Sequence, residues 1–405
     1  MSTVTIYVEE SGTPIYTRIA RALGQELSQL GYNVLVVKPA AFNHDSYLNF
    51  VQSVPENAVY VTNAGSNIIQ GRLTNQPTHY FEHFKGRVIF LHQDSILSSQ
   101  NFEQGLARLQ AWQRVAPRNA HLCIEPSNVR VLKQAGIEHA RFVPHASEIE
   151  ATVPLIEGFE HRASFVGHVV PSMYRQSSGS ASVDGLLNQL FTRRQLDMSL
   201  PVHDEVLAFS NQALDCLGND PDNAAFRLAH GLWVRGQLMH QSLQYRGWVF
   251  EQADIDGLEV FGGDPAYLHG LDRSLRVERE GITYQPAVYD MDALSRIFRR
   301  SLVNINVSSL QFDHAVVNRF HDVVMAGGLC LTDRRAGLAE LTRHHAEVSF
   351  STVTELEDKV RYYSHPDHQR ERASLISSMQ AEVVERSGYP LLAREIAQSI
   401  KMLQA

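Results

Sequence analysis

Residues 304–333 read NINVSSLQFDHAVVNRFHDVVMAGGLCLTD, and this stretch decides the fold expected for the chain. The apolar run at its start predicts a strand, and after a polar loop a helix is predicted from Asn318 to the pair Gly327-Gly328. Glycine lets the chain turn back, and the next apolar run predicts a second strand that ends at Asp333. Strand, helix and strand in this order are typical of a parallel sheet.

The same alternation of strands and helices extends over the whole chain. Continuous apolar runs predict strands at 3–8, 34–37, 58–62, 87–91, 121–124, 140–143, 163–166, 258–261, 282–286, 302–307, 329–332 and 348–350. Such runs, separated by helical patterns, indicate doubly wound parallel sheets. We therefore predict an α/β fold built on doubly wound, Rossmann-like sheets.

The length of 405 residues allows two or three domains. We predict a Rossmann-like N-terminal domain over 1–155 and a Rossmann-like C-terminal domain over 156–385, the second with a helical insertion at about 176–250. The last segment, 386–405, is predicted to be a helix that packs on the N-terminal domain.

Composition excludes several classes of protein. Hydrophobic residues make up 44% of the chain, which is enough for large cores and excludes wholesale disorder. The formal net charge of −8 disfavours nucleic acid as a partner. The three cysteines form no C-x-x-C pair, so neither a zinc ribbon nor a redox dithiol is predicted. With no long apolar run and no signal-peptide pattern, we expect a soluble cytoplasmic protein without a membrane span.

Ligands of parallel sheets bind beyond the carboxyl ends of the strands. The loops expected there are 9–13, 63–67, 92–95, 167–175, 262–263 and 308–318. On the helix that follows the last of them, Arg319 and Asp322 share a face. A phosphate can bind the helix start with help from Arg319, and Asp322 can accept hydrogen bonds from a ribose. The same spacing also describes an ordinary surface ion pair, and the spacing alone favours that interpretation.

A family resemblance supports the ligand-binding interpretation. The stretch resembles the signature R-x-x-E-x-x-A-x-G, followed by a strand ending Thr-Asp, of the CgeB-like (spore maturation) glycosyltransferases with GT-B architecture. Arg319, Gly327 and Thr332-Asp333 match, whereas Asp322 replaces the usual Glu and Met325 replaces Ala. The similarity continues outside this stretch, at Phe165-Val166-Gly167 with Arg175, Glu355-Leu356, Lys359, Tyr362-Tyr363, His365-Pro366, Arg370 to Arg372, Tyr389 and Arg394.

The resemblance implies two Rossmann-like domains that face a cleft. It also implies a hexosyltransferase-type enzyme that moves a sugar from a nucleoside-diphosphate sugar to an acceptor. The donor would bind the C-terminal domain, the acceptor would bind mainly the N-terminal one, and no metal or other cofactor would be needed. In retaining relatives two Glu lie eight positions apart; here these positions hold His314 and Asp322, which leaves retention or inversion open. The candidate donor-binding residues are Gly167, His168, Arg175, His314, Asn318, Arg319 and Asp322.

The N-terminal domain is expected to supply a general base. His92 follows an apolar strand, and an imidazole has a suitable pKa for taking a proton from a hydroxyl. Asp94 is close enough in sequence to orient it, and Glu9, after the first strand, is a rival base. Each is also compatible with an ordinary solvated loop residue.

Two other functions remain open from the sequence, a nucleotide-sugar epimerase of the same architecture and a non-catalytic nucleotide-sugar-binding protein. The pairs Asp254/Asp256 and Asp290/Asp292 spell D-x-D, a metal-binding pattern of other glycosyltransferases, but the second pair suits a helix start better. No motif identifies the donor sugar, its base or the acceptor, which can be a glycan, a lipid, a protein or a small molecule.

Overall fold

A computed structural model describes residues 4–10, 14–64, 69, 71–73, 78–97, 101–175, 177–214, 221–262 and 276–404. Parts of the predicted ligand-facing loops, at 11–13, 65–67 and 263, lie outside the described residues, and so do Cys216 and the start of the predicted strand 3–8.

The strands follow the predicted series closely. They are β1 (Thr5–Glu9), β2 (Asn33–Val37), β3 (Val59–Ala64), β4 (Arg87–His92), β5 (Asn119–Cys123), β6 (Ala140–Phe142), β7 (His161–Val166), β8 (Leu258–Phe261), β9 (Ile282–Gln285), β10 (Ser301–Asn306), β11 (Cys330–Asp333) and β12 (Ser349–Phe350). The apolar runs therefore identified the strands correctly.

Helices connect these strands. They are α1 (Pro14–Gln29), α2 (His44–Ser53), α3 (Tyr80–His83), α4 (Phe102–Arg114), α5 (Pro126–Gln134), α6 (Ala181–Leu196), α7 (His203–Ala213), α8 (Pro221–His240), α9 (Ser242–Gln252), α10 (Met291–Arg300), α11 (Asn318–Met325), α12 (Ala336–Leu341), α13 (His345–Val348), α14 (Val353–Ser364), α15 (Gln369–Arg386) and α16 (Tyr389–Met402). Asp290 caps α10 by accepting a hydrogen bond of 2.9 Å from the amide of Ala293, so this D-x-D pair does start a helix.

The chain folds into two compact units that are not contiguous in sequence. The first comprises Met1–Glu148, His203–Gly236 and Gly388–Ala405, and the second comprises Ile149–Val202 and Gln237–Ser387. The helical stretch 176–250, predicted as an insertion of the C-terminal domain, is divided between the two units.

The first unit is built on a parallel sheet. Within the described residues it has six strands in the order β2-β1-β3-β4-β5-β6. One face of the sheet packs on α1 and α16, where Leu23, Leu27, Ile396 and Ile400 are buried. The other face buries an aromatic-rich core that includes Trp112.

The second unit repeats this plan. Its described strands form a second parallel sheet of six, in the order β12-β11-β10-β7-β8-β9. Because all pairs are parallel, the carboxyl ends of β7, β8, β10 and β11 lie at one edge. The α/β fold with two Rossmann-like sheets is thereby confirmed.

Candidate functional site

The turns that follow β7 and β8 touch each other at the carboxyl edge of the second sheet. Gly167 has a φ of +148°, and a Cβ on Gly262 would lie 2.0 Å from the carbonyl oxygen of Gly167. A Cβ on Gly167 would lie 2.9 Å from Nη2 of Arg319. Glycine at these positions therefore lets the two turns and the Arg319 guanidinium come together.

Arg319 lies in the first turn of α11, whose N-cap residue, Val317, provides no side-chain cap. Its Nη1 donates a hydrogen bond of 2.7 Å to Oδ1 of Asn306, and its Cζ is 5.0 Å from the ring centre of Phe165. Burial lowers the pKa of Arg319, an effect opposed by nearby acidic groups that include Asp322. This places a cation beside uncapped backbone amides of a helix start, the arrangement expected for anion binding.

Arg246, on α9, is a second cation beside the same aromatic ring. Its Nε donates a hydrogen bond of 3.1 Å to the carbonyl oxygen of Val307, and its Cζ is 6.0 Å from the centre of the Phe165 ring. Burial, and then the positive charge of Arg319, lower the pKa of Arg246 to about 9. Among the described residues, no carboxylate oxygen lies within 4.0 Å of either guanidinium. Two like charges with only neutral hydrogen-bond acceptors favour an anionic ligand.

The two nearby buried arginines differ, because each has a carboxylate partner. Nη2 of Arg194 lies 2.6 Å from Oδ1 of Asp313, and Arg335 pairs with the fully buried Asp333. Asp333 also accepts a hydrogen bond of 2.8 Å from the amide of Ser308. These contacts fix the loop after β10, so that the Asp of the strand-end Thr-Asp signature stabilises the site's framework.

The other residue of that signature orients an amide. Oγ1 of Thr332 accepts a hydrogen bond of 2.8 Å from Nδ2 of Asn306. The Oδ1 of Asn306 consequently faces Nη1 of Arg319. Thr332 thus positions Arg319 through Asn306.

The structure brings some of the predicted donor residues together and separates others. His168 follows Gly167, and Asp322 lies one helical turn beyond Arg319; both side chains are half-buried. Asn318 is the first residue of α11 and is also half-buried. Each of the three therefore lies within three positions of Gly167 or Arg319 along the chain.

His314 and Arg175 are held by other elements. Nε2 of His314 lies 3.0 Å from Oε1 of Glu340 on α12. Arg175 lies against α6, where its Nη1 donates a hydrogen bond of 2.8 Å to Asn188 and its Cζ is 3.7 Å from the ring centre of Phe191. These contacts direct both side chains to helices rather than to Arg319.

The first unit has polar side chains at the carboxyl ends of its own strands. Glu9 is 2% exposed, and its Oε2 accepts a hydrogen bond of 2.5 Å from Oγ1 of Thr62. Asp94, in the loop after β4, is half-buried. Glu9 is thus engaged inside the unit, while Asp94 is the more accessible carboxylate.

His92 lies in an aromatic stack. Its Nε2 is 2.9 Å from Nδ1 of His121, and the two rings are nearly parallel, with centres 5.2 Å apart. Burial, and then the charge of Arg108, lower the pKa of His92 to about 3. A neutral imidazole with this pKa is a weak base.

Two further properties concern the whole described chain. No group of three or more His, Cys, Asp or Glu side chains is arranged for metal binding in the residues that the structure describes. No helix within those residues is both long and apolar enough to span a bilayer.

Residues 246–397, which include both Arg246 and Arg319, match a protein-family model described as "Glycosyl transferase-like". The chain is a glycosyltransferase. No curated protein sequence matches it.

Solved structures show the fold of the transferase to be GT-B. One is T4 phage β-glucosyltransferase in complex with UDP and Mn²⁺, with 12% identity, coverage of 99% of each chain and a TM-score of 0.51. Another is Anabaena HepE in complex with UDP and glucose, with 10% identity, coverage of 98% of this chain and 99% of the other, and a TM-score of 0.53.

Sequence patterns missed Arg246. It lies in a helix with few charged residues and matches no motif, so only its position beside Phe165 reveals it.

Proposed function

We propose that the transferase binds a nucleoside-diphosphate sugar with the diphosphate between Arg246 and Arg319. The observation that carries this proposal is the pair of half-buried guanidiniums beside Phe165, which have neutral hydrogen-bond acceptors and no described carboxylate partner. A diphosphate would supply the missing negative charge, and its charge grows as the sugar leaves.

The neighbouring groups support the remaining donor contacts. The uncapped amides at the start of α11 can bind a phosphate oxygen, and Gly167 gives the ligand close access to the backbone. Asp322 lies one helical turn beyond Arg319 on α11, and we propose that it accepts hydrogen bonds from the ribose. Because two arginines and a helix start offset the diphosphate charge, we propose catalysis without a metal ion or other cofactor.

For the acceptor side we propose Asp94 as the general base. It is half-buried, whereas Glu9 and His92 are each 2% exposed and are hydrogen-bonded to Thr62 and His121. A base needs access to the acceptor hydroxyl, which favours Asp94. An Asp94→Asn variant should keep donor affinity and lose at least 100-fold in transfer rate; unchanged transfer would contradict this assignment.

We also propose that the enzyme belongs to the CgeB-like (spore maturation) group. The Thr332-Asp333 strand end and Arg319 support this assignment, because they build one connected framework around the cation site.

The experiment is calorimetric titration with UDP and UDP-glucose, chosen because the T4 phage and Anabaena enzymes bind UDP. Arg246→Gln and Arg319→Gln should each weaken binding about 10- to 100-fold, since each removes a charge-assisted hydrogen bond worth about 1.5–3 kcal/mol. Arg296→Gln is the matched control, because Arg296 is an exposed arginine of the same unit. Equal affinity in all three variants would contradict the proposed site.

Product analysis with labelled UDP-glucose distinguishes the alternatives. Free UDP with a glucosylated acceptor supports the transferase mechanism. An isomerised nucleotide sugar would indicate an epimerase, and saturable binding without turnover across donors and acceptors would indicate a binding protein.

A further inference from the structure

A cavity lies at the amino-terminal edge of the sheet in the second unit, opposite the edge that carries Gly167, and its volume is about 430 Å³. Its lining includes Phe159, His161, Arg162, Arg361, Ser364 and His365. We call it the amino-edge pocket. None of these residues has a part in donor binding as described above.

A buried, uncompensated cation lies behind the wall of this pocket. Arg372 is 1% exposed, its Nη1 donates a hydrogen bond of 2.7 Å to the carbonyl oxygen of Tyr363, and its Cζ is 4.4 Å from the ring centre of Phe159. Its Nε and Nη2 have no hydrogen-bond partner in the described chain. Burial lowers the pKa of Arg372 to about 10. A buried charge without a counterion is unfavourable unless an anion lies nearby.

The wall itself contains a second unsatisfied donor. Oγ of Ser364 is buried and lacks a hydrogen-bond partner among the described residues. Buried polar groups in native proteins are nearly always paired, so an unpaired hydroxyl in a pocket wall points to a ligand or water.

The charges around the pocket favour an anion. Arg162 and Arg361 line it and pair with Asp256 at 3.1 Å and Asp358 at 2.9 Å. Both pairs are largely solvent-exposed, and such pairs are weak enough to leave the cations available to a ligand. Glu160 is the acidic member of the lining. In the lining and the wall behind it, Arg162, Arg361 and Arg372 outnumber Glu160, while Asp256, Asp358 and Glu259 lie outside the lining as partners of Arg162, Arg361 and His161.

We propose that the amino-edge pocket binds a phosphomonoester of monosaccharide size, at a site separate from the donor site. Its volume lies at the lower end of the range of ligand pockets. The phosphate would lie near Arg361 and the Ser364 hydroxyl, and the remaining space would hold the sugar. This assigns a role to the C-terminal pattern around Tyr363, His365 and Arg372, which lies far along the chain from the donor-binding residues.

The test is titration with glucose 6-phosphate, inorganic phosphate and free glucose. Wild type and Arg319→Gln should bind glucose 6-phosphate equally, because the donor edge is not involved. Arg361→Glu should weaken binding at least 10-fold, whereas Arg370→Glu, the same change at an exposed arginine outside the pocket, should not. Arg361 and Arg370 are both exposed, so neither substitution should unfold the protein, and a melting curve for each variant checks this.

Several results would overturn the proposal. These are no binding of glucose 6-phosphate, loss of binding in Arg319→Gln, and unchanged binding in Arg361→Glu. Free glucose binding as tightly as glucose 6-phosphate would exclude phosphate recognition, and inorganic phosphate binding equally tightly would exclude a sugar subsite. A Ser364→Ala variant that binds at least threefold more weakly than wild type would support the predicted hydroxyl contact.

Discussion

A Gly167→Ala substitution should lower the stability of the fold and also displace Arg319, and the two effects can be measured separately. The new Cβ would lie 2.9 Å from Nη2 of Arg319 and 3.2 Å from the ring of Phe165, in a backbone with φ of +148°. The contact with Arg319 involves the end of a flexible side chain, so the guanidinium can move aside at little cost in stability. The strain of an alanine at this φ cannot be relieved in this way.

The substitution should change both the free energy of unfolding and the affinity for UDP. The strained backbone should lower the free energy of unfolding by about 1–3 kcal/mol. For a folded unit as large as the second one, a loss of 1 kcal/mol in the free energy of unfolding lowers the melting temperature by about 2–4 °C. The melting temperature should therefore fall by roughly 2–12 °C. Displacing Arg319 should weaken UDP binding about 10-fold or more, because the charge-assisted contact needs correct geometry.

The assay combines thermal melting with UDP titration on the folded variant. Gly185→Ala is the matched control, because this exposed glycine lies inside α6 and an added Cβ would meet nothing within 4 Å. The control should be more stable than wild type by about 0.4–1 kcal/mol and bind UDP normally. If Gly167→Ala melts and binds UDP as wild type does, the reasoning about this turn is wrong.

Three further results are expected. Thr332→Val should weaken UDP binding by a few-fold and lower stability by about 1 kcal/mol, since Asn306 loses its hydrogen-bond acceptor; unchanged affinity would contradict the positioning role. Acid should destabilise the enzyme: the pKa of His92 is about 3 when folded and 6.5 when unfolded, so the unfolded chain takes up the proton first. Stability is then full above pH 6.5 and falls below it, with His92 accounting for about 2 kcal/mol at pH 5 in denaturant titrations; equal stability at pH 7.5 and pH 5 would refute this. Transfer should continue after treatment with EDTA, and its loss followed by recovery with Mn²⁺ or Mg²⁺ would disprove metal independence.

Much of the fold was predictable because buried parallel strands leave a clear record as continuous apolar runs. The strand–helix–strand pattern of residues 304–333 appears in the structure as β10, α11 and β11. Division into units was less predictable, because residues 203–236 look like any other helical segment. Their assignment depends on long-range packing, such as Leu232 in the core of the first unit.

The site was predictable only where a pattern is local. Arg319 belongs to a short signature, and the structure places it beside Gly167. Arg246 is distant in sequence, and only tertiary packing brings it to Phe165. For His92 the local pattern was misleading. Its position at a strand end suggested access to a ligand, but packing against His121 buries it.

The interrupted course of the chain through the first unit affects how the protein is made. The core of this unit includes Ile400 on α16, which is synthesised 252 residues after Glu148, the end of the unit's first segment (400 − 148). At ribosomal rates of about 5–20 residues per second, that delay is roughly 13–50 s. One face of the first sheet therefore stays partly uncovered until α16 has been synthesised, and a chain truncated before α16 would leave the first unit without part of its core.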